Sequence, residues 1–480
     1  MDHPGAWRGR PHDRGHASAE HPAGRPDPAG GGGPVSAWSY ERVLAWLDGL
    51  LNYERVAIPY AQIKLERIRA LLRRLGDPQD RLRTVLVAGT KGKGSTGAML
   101  AAVLQAHGQR VGFYSKPHLW DYRERIRVND ELVPQEALAD LVERVAPAVE
   151  AGDGDPWGKP TYFEVSVALA LLHFLEARVD RAVFEVGIGG RLDATNVCWP
   201  EVSVITPISH DHTDILGQTL REIASEKAGI VRPGGTVVLA PQQPEAEEVL
   251  VATCRELSAR TVWVGEDVRL EVEHSGLGGV RFSVTTPGQR YEGLHVPLLG
   301  RHQATNAAVA VAAAECWAAV DGWSLAPDAV REGLARVRWP ARQELVGTRP
   351  WALVDVAHNP ASMEALRQTV GELFSGRRVV LVLGMVRGHD ARETISRILS
   401  VADEVVVTTP RHVRPVPAGE LAALVAASHP RVHVVEDCEQ AVRWAFGRCA
   451  PEDVLVVAGS FFVAGPARVV LAGRAGASVS

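Results

Sequence analysis

A short apolar strand followed by a glycine-rich loop and an apolar helix constrains this sequence more than any other feature. The strand is residues 85–88 (VLVA), the loop is residues 89–96 (GTKGKGST), and the helix continues from about 96 to 107. A continuous apolar run suits a strand that is buried on both faces of a parallel sheet. Residues 111–114 supply the next strand and complete a β-α-β unit.

The loop has the composition of a phosphate-binding loop. Its backbone N–H groups and the following helix N-terminus would face an anion. We expect the Lys93 ammonium to reach the β- and γ-phosphates of a nucleotide and the Ser95 hydroxyl to ligate Mg²⁺. The strict Walker pattern has four residues between its glycines, and this loop is shorter. The alternative is a flexible glycine turn. The predicted nucleotide-binding residues here are Gly89, Thr90, Lys91, Gly92, Lys93, Gly94, Ser95 and Thr96.

Strands and helices alternate through most of the chain. We predict helix over 38–75, 164–177, 220–228 and 303–318, and strands at 182–186, 202–206 and 236–240. The alternating pattern of 261–297 predicts antiparallel strands. After Trp339-Pro340, strands at 352–355, 379–383, 404–408 and 454–457 begin a second series. The prediction is an α/β fold: a phosphate-loop NTPase domain with a largely parallel sheet, plus a second, smaller Rossmann-like α/β domain.

Length and composition are consistent with that organisation. A chain of 480 residues suggests two or three domains. We predict a disordered tail over residues 1–36, which are rich in Gly, Pro, His and Arg. An ATP-binding domain would follow over 37–338 and a C-terminal α/β domain over 339–480. The net charge of -5 argues against general attraction to nucleic acid. The five cysteines are scattered and form no CxxC pair, which suits a reducing compartment. No apolar run predicts a signal peptide or a membrane helix.

Two further segments contain candidate metal ligands. Glu185 lies inside the apolar strand of 182–186, and a buried carboxylate is costly unless it is paired or bound to a metal; a solvent-facing Glu at the strand end is the alternative. The run 210–214 (HDHTD) follows the strand at 202–206, where open α/β sheets bind ligands. It suits a hydrolase metal cluster or, beside a phosphate loop, a Mg²⁺ ligand. A capping role without metal is the third possibility.

Lysine usage singles out Lys227. Lysine and arginine total 52, and only six of these are lysines, so arginine has replaced lysine almost wherever a generic positive charge suffices. Lys227 lies in SEKAGI at a predicted helix end. A neutral or carbamylated lysine can ligate a metal, whereas arginine cannot deprotonate to do so. The alternative is a helix-terminal lysine that faces the helix dipole.

Together these segments resemble the folylpolyglutamate synthase and dihydrofolate synthase family of the Mur-ligase superfamily. The resemblance covers about residues 38–470. It extends to LGDPQ at 75–79, SKPHL at 115–119, RERIRVN at 123–129, GRHQ at 300–303, NAA at 306–308, WPAR at 339–342, DVAHNP at 355–360 and GS at 459–460. Lys116 departs from the pattern, because serine is usual there, beside the expected pterin region. Lys91 stands where many members have asparagine.

The resemblance implies a ligase mechanism. ATP would phosphorylate a carboxylate of the acceptor, and the amine of L-glutamate would attack the acyl phosphate to form an amide. Ser95 and Glu185 would hold one Mg²⁺, and His212 and carbamylated Lys227 a second. Asn306, Arg342 and Asp355 would contact ATP, and His358 would lie near the nucleotide across a cleft between the domains. The expected catalytic residues are Lys93, Lys227, His212, Glu185 and His358.

The resemblance also implies the reactants and the setting. The acceptor would be a folate, with dihydropteroate as a second acceptor, and the enzyme would work in the cytoplasm as a monomer without nucleic-acid or membrane partners. Three rival functions stay open at this point: a Mur-type amide ligase for a cell-wall precursor, a phosphate-loop kinase or regulatory ATPase, and a metallohydrolase.

Overall fold

The structure is a computed structural model that describes residues 38–53, 62–388 and 390–473. The predicted tail, residues 1–36, lies outside the described residues. The α-helices of the described part are α1 (Tyr40–Asp48), α2 (Leu65–Arg74), α3 (Lys93–Ala106), α4 (Gln135–Glu150), α5 (Tyr162–Glu176), α6 (Thr213–Leu216), α7 (Leu220–Ala228), α8 (Pro244–Glu256), α9 (His302–Val320), α10 (Pro327–Arg336), α11 (Pro360–Leu373), α12 (Ala391–Ile398), α13 (Ala418–Ala426), α14 (Cys438–Gly447) and α15 (Phe461–Ala472).

The first sheet has eight strands in the order β4-β3-β2-β5-β1-β6-β7-β8. Strands β2, β5, β1, β6, β7 and β8 run parallel, and β3 and β4 add an antiparallel edge. Its strands are β1 (Thr84–Ala88), β2 (Val111–Tyr114), β3 (Ile126–Val128), β4 (Glu131–Leu132), β5 (Arg181–Glu185), β6 (Val202–Ile205), β7 (Thr236–Leu239) and β8 (Arg260–Trp263).

The period-two alternation of strand side chains divides the N-terminal lobe into two cores. Val85 and Val87 of β1 face a core with α3, α9 and α10, whereas Leu86 and Ala88 face a core with α2, α4, α5 and α7. Both faces are therefore covered by helices, as a parallel sheet requires. The first core also contains an antiparallel sheet formed by β9 (Arg269–Gly276), β10 (Gly279–Thr285) and β11 (Arg290–Val296).

The C-terminal lobe contains a six-stranded sheet in the order β12-β13-β17-β14-β15-β16. All its pairs are parallel except β12 with β13. Its strands are β12 (Glu344–Thr348), β13 (Trp351–Val354), β14 (Val379–Leu383), β15 (Glu404–Thr409), β16 (Val432–Asp437) and β17 (Val454–Ala458). The predicted fold class, with a largely parallel sheet and a second, smaller α/β unit, is confirmed.

Some predicted elements are wrong in detail. The helix expected over 38–75 is divided: α1 ends at Asp48, with Gly49 as its C-cap, and α2 begins at Leu65. Residues 260–263 form β8, a parallel edge strand of the first sheet, and not part of the antiparallel set. Strand β8 has four residues with partly exposed side chains, and such a short run does not indicate whether the strand is parallel or antiparallel. That is decided by the strand with which it pairs.

Within the described residues, no helix has the length and apolar character needed to cross a membrane.

Candidate active site

A cleft of about 630 Å³ lies between the two lobes. Its N-terminal wall is formed where β1, β5 and β6 end, because adjacent parallel strands bring their carboxyl ends to one edge of the sheet. Its opposite wall comes from the segment after β13, the start of α15 and the loop before α13. The topology therefore brings motifs that are more than a hundred residues apart in sequence to one place.

The glycine loop connects β1 to α3, as predicted. Gly92 caps α3 with a φ of 81°, and Lys93 is the first residue of the helix. Gly89 has a φ of 135°, and a Cβ there would lie 1.9 Å from the Thr206 hydroxyl oxygen, so only glycine fits. The N–H groups of Thr90 and Lys91 donate to the carbonyl of Pro207, which ties the loop to the segment after β6.

Three lysine ammonium groups gather around this loop. Lys93 Nζ lies 3.4 Å from the Thr90 carbonyl oxygen, and Lys91 Nζ lies 3.4 Å from Asp211 Oδ2. Lys227 Nζ donates to the Gly89 carbonyl at 2.8 Å from behind the loop. Burial, with the charge of Lys93 adding to it, lowers the pKa of Lys227 to about 7. Burial likewise lowers the pKa of Lys91 to about 8, although Asp211 opposes the shift. Closely packed cations of this kind are stabilised by an anion.

Glu185 ends β5 and is 7 % exposed. It accepts one hydrogen bond, from the Lys116 N–H at 3.3 Å, and no ion pair within the described residues neutralises it. Burial raises the pKa of Glu185, and the charge of Lys93 opposes the shift. A buried carboxylate without an ion-pair partner that faces a cleft suits a bound cation.

Asp193 fixes the turn that follows β5 and packs against the end of α7. Its carboxylate accepts from the N–H groups of Gly187 and Ile188, each at 2.9 Å, and from the Thr195 hydroxyl at 2.6 Å. The turn is further fixed by the Arg191 N–H, which donates to the Glu226 carbonyl at 2.9 Å. The glycine-rich segment of 187–190 therefore holds the end of α7, and with it Lys227, against the phosphate loop.

The segment after β6 places Asp211 and His212 at the cleft. His212 precedes α6 with a φ of 50°. Asp211 Oδ2 accepts from Asn359 Nδ2 of the C-terminal lobe at 2.8 Å, so this carboxylate joins the two lobes. Asp214 also lines the cleft, whereas His210 is exposed and does not. Within the described residues, no three His, Cys, Asp or Glu side chains converge as a metal cluster.

The C-terminal wall contributes Arg342, Asp355 and His358. Asp355 follows β13 and accepts from the N–H groups of Gln343 at 2.7 Å and Ala357 at 2.5 Å. Burial raises the pKa of Asp355 to about 6, and Arg342 opposes the shift. The Arg342 guanidinium lies 4.8 Å from the centre of the Phe461 ring. His358 Nδ1 lies 2.8 Å from the Val356 carbonyl oxygen, and the centres of the His358 and Phe461 rings lie 5.9 Å apart.

Most of the residues singled out in the sequence line this one cleft. They are Thr90, Lys91, Gly92, Lys93, Gly94, Ser95, Glu185, His212, Asn306, Arg342, Asp355 and His358. Gly89, Thr96 and Lys227 stand behind the wall: Thr96 is fully buried, and Lys227 is 4 % exposed. The roles given to these residues stay predictions.

The sequence did not single out several other residues of the cleft. At one end, Phe163 lies near a buried ion pair in which Arg67 Nε donates to Glu164 Oε2 at 2.7 Å. At the C-terminal wall, Arg387, His412 and Arg414 approach the cleft, and Arg414 Nε is buried without a hydrogen-bond partner among the described residues. Phe163 and Glu164 belong to an apolar helix, and the arginines are three of many, so neither group has a sequence signal.

The chain matches two family models, "Mur ligase middle domain" over residues 150–314 and "Mur ligase, glutamate ligase domain" over residues 341–461. It is 36 % identical over 368 residues to a Bacillus subtilis protein named dihydrofolate synthase/folylpolyglutamate synthase, which covers 76 % of this chain and 84 % of that protein. It is 35 % identical over 412 residues to the Lacticaseibacillus casei folylpolyglutamate synthase, which covers 85 % and 94 %.

A solved structure gives the same result. The structure of Mycobacterium tuberculosis folylpolyglutamate synthase complexed with ADP superposes with a TM-score of 0.82 at 33 % identity, and the match covers 90 % of this chain and 98 % of that one. Identity at this level over nearly the whole length of both chains shows more than a shared fold. The chain belongs to the folylpolyglutamate synthase family of Mur ligases.

Proposed function

We propose that this protein uses ATP to activate the terminal carboxylate of a folate and joins it to the amine of L-glutamate. The observation that carries the proposal is the single cleft in which a phosphate loop and Glu185 on one lobe face Arg342, Asp355 and His358 on the other. A phosphate-loop kinase or switch needs no second lobe of this kind. The relatives are named for folates, which disfavours a cell-wall precursor as the acceptor.

The N–H groups at the N-terminus of α3 and the Lys93 ammonium bind the phosphates of ATP. An oxygen of the acceptor carboxylate attacks the γ-phosphorus, the bond from that phosphorus to the bridging oxygen breaks, and ADP leaves. Charge develops on the phosphoryl oxygens during this step, and the fixed cations of the loop stabilise it. The amine nitrogen of L-glutamate then attacks the acyl carbon, phosphate leaves with the bonding electron pair, and the nitrogen loses a proton to give the amide.

The donor set fits Mg²⁺, which would supply charge neutralisation between the phosphates. Glu185 is a buried carboxylate without an ion-pair partner, and the Ser95 hydroxyl at the first turn of α3 makes no hydrogen bond within the described residues. We assign one Mg²⁺ to Ser95 and Glu185, and a second to His212 and Lys227. Lys227 would serve as a carbamate, because a neutral amine, which a pKa near 7 allows, is the form that combines with carbon dioxide.

The remaining assignments follow from position. Asn306, Arg342 and Asp355 would contact the nucleotide, and His358 would lie beside its phosphates. The incoming glutamate would bind at the C-terminal wall, where Arg414 Nε has no hydrogen-bond partner among the described residues and would be available for a carboxylate. Dihydropteroate is a second candidate acceptor, because the Bacillus subtilis relative carries both names. A cytoplasmic monomer is proposed as the working form, and size-exclusion chromatography tests the monomer.

One assay tests the function. Purified protein is given ATP, Mg²⁺ and L-glutamate with tetrahydrofolate, dihydropteroate or a cell-wall muropeptide precursor, and ADP release and product mass are followed. We expect ADP release and a mass increase of one glutamyl residue with tetrahydrofolate. ADP release without a glutamate requirement, or product only from the cell-wall precursor, would contradict the proposal.

A further inference from the structure

Lys116 places a cation in the cleft that the mechanism above does not use. It follows β2, at the position where the sequence departs from the family pattern. Its side chain lines the cleft and is partly buried. Within the described residues its ammonium has no ion-pair or hydrogen-bond partner, although carboxylates are near. A cation that faces a cleft and has no ion-pair partner among the described residues suits an anionic ligand.

The surroundings locate that ligand between the reacting phosphate and the apolar end of the cleft. Lys116 Nζ lies 5.8 Å from the centre of the Phe163 ring, and the Lys116 N–H donates to Glu185. Burial lowers the pKa of Lys93, and the nearby charges of Glu185 and Lys116 also act on it. Lys116 therefore lies close enough to the phosphate loop for its charge to act on Lys93, while its ammonium faces the wall that carries Phe163.

Gly187 opens the path for this side chain. A Cβ on Gly187 would lie 3.1 Å from Lys116 Cε and 2.7 Å from both Phe163 Cζ and Asp193 Oδ2. The aliphatic part of the Lys116 side chain therefore lies over the Gly187 backbone. It is confined between the Phe163 ring and the Asp193 carboxylate, which already accepts four hydrogen bonds. This confinement fixes the direction of the ammonium and lowers the entropy cost of binding a ligand.

The chemistry of the acceptor identifies the anion. A folate ends in a glutamate whose γ-carboxylate reacts and whose α-carboxylate does not, and three carbons separate the two. The γ-carboxylate must reach the transferred phosphoryl group, so the α-carboxylate lies a few ångströms further from the phosphate loop, toward the acceptor body. We propose that Lys116 binds the non-reacting α-carboxylate of the terminal glutamate of the acceptor, and so selects glutamylated acceptors over those with one carboxylate.

This inference rests on the proposed function, and a double-mutant cycle tests it separately. The probes are folate acceptors with either a free α-carboxylate or an α-carboxamide, and Kd is measured by titration calorimetry without ATP. For the unmodified protein we expect the carboxylate to bind about tenfold or more tightly than the amide, because the carboxylate adds a charge-assisted hydrogen bond. In Lys116→Met the ratio should fall to about one, and in Lys116→Arg it should largely persist.

The matched control is Lys159→Met, since Lys159 does not line the cleft and its ammonium is paired with Glu150 and Asp153; it should keep the full ratio. A ratio that is unchanged in folded Lys116→Met would overturn the inference. Steady-state kinetics add a second test: an equal loss of kcat for both acceptors, with the Kd ratio intact, would also overturn the inference, because the lysine would then act on the phosphoryl group. Failure of the unmodified protein to bind any folate would instead contradict the proposed function, and the inference with it.

Discussion

At the scale of single residues, the site concentrates amines in a chain that otherwise uses guanidinium groups. Four of the six lysines, Lys91, Lys93, Lys116 and Lys227, line the cleft or stand directly behind the phosphate loop. An ammonium is a compact charge that fits inside a tight loop and can lose its proton when it is buried. A guanidinium can do neither, which explains why these positions have not become arginine.

Lys93 provides the first prediction. Lys93→Ala should lower kcat/KM for ATP by about 10³-fold or more, because the transferred phosphoryl group loses a fixed cation of the kind worth several kcal/mol in catalysis. Lys93→Arg should fail as well, since the guanidinium is too wide for a loop that closes on the Thr90 carbonyl. Steady-state kinetics with a thermal melt to establish folding gives the result. Turnover near that of the unmodified protein in a folded Lys93→Ala variant would rule out the phosphate loop as the active site.

Lys227 provides the second prediction. Lys227→Ala should lose most activity, and small carboxylic acids such as acetate should restore part of it by occupying the place of the carbamate oxygens. Lys227→Arg should be inactive, because arginine forms no carbamate at neutral pH. Intact mass under bicarbonate provides the independent measurement. An active Lys227→Arg variant would favour the alternative that the structure displays, an amine that hydrogen-bonds to the Gly89 carbonyl.

At the scale of elements, the order of the strands in the first sheet brings the residues of the site together. Strand β1 lies between β5 and β6, so the phosphate loop, Glu185 and the segment after β6 share one edge. The sequence predicted the existence and type of these elements because each is a short apolar run with a glycine or polar stop. Their lateral order could not be predicted, since β1 pairs with strands about a hundred residues away and nothing local in a sequence records that choice.

Short strands and contacts between distant residues account for the features that the sequence did not predict. Strands β3 and β4 are two or three residues long and follow a charged segment, so they carry no alternating pattern. The ion pair of Arg67 and Glu164 joins helices 97 residues apart. The sequence marks Lys116 only as a departure from the family pattern, because its packing beside Gly187 and Phe163, without an ion-pair partner among the described residues, depends on the fold.

Gly89 gives a prediction at this scale. Gly89→Ala would force a Cβ to within 1.9 Å of Thr206 Oγ1 and 2.8 Å of the Thr206 carbonyl oxygen, at a φ that only glycine adopts easily. The end of β1 would have to separate from β6, and we expect a loss of about 2–4 kcal/mol of unfolding free energy with loss of ATP binding. Gly108→Ala is the control, since Gly108 also has a positive φ but has open space around it. Urea unfolding compares the two, and equal costs would show that the contact with Thr206 is unimportant.

At the scale of the whole molecule, the two lobes meet through a polar contact beside the chemistry. Asn359 Nδ2 donates to Asp211 Oδ2, while the Asn359 side-chain oxygen caps α11 by accepting from the Ser362 N–H. Asp211 also lies beside Lys91 of the phosphate loop. One amide therefore connects the first turn of a helix in one lobe to the nucleotide loop of the other, at the place where water must be kept from an acyl phosphate.

The corresponding prediction concerns coupling. Asn359→Ser keeps a side-chain oxygen for the helix cap and removes the donor to Asp211. We expect kcat to fall about tenfold and the fraction of ATP hydrolysed without amide formation to rise, because a cleft that closes less completely admits water. Phosphate release is compared with glutamylated product for the variant and for Ser362→Ala, which keeps the donor to Asp211 and removes a hydroxyl that accepts from the His358 and Asn359 N–H groups. Tight coupling in Asn359→Ser would show that lobe closure does not depend on this contact.

The uneven use of lysine has a practical consequence for chemical labelling. Lys64 and Lys159 are the lysines outside the cleft region, so an amine-directed reagent finds few sites on the surface of this protein. Acetylating or cyanate-type reagents will therefore report on nucleotide occupancy: modification of Lys91, Lys93 and Lys116 should be slowed by ADP, while Lys64 and Lys159 react at the same rate with or without it. Peptide mass spectrometry after limited labelling would then map the ligand-bound cleft without any engineered probe.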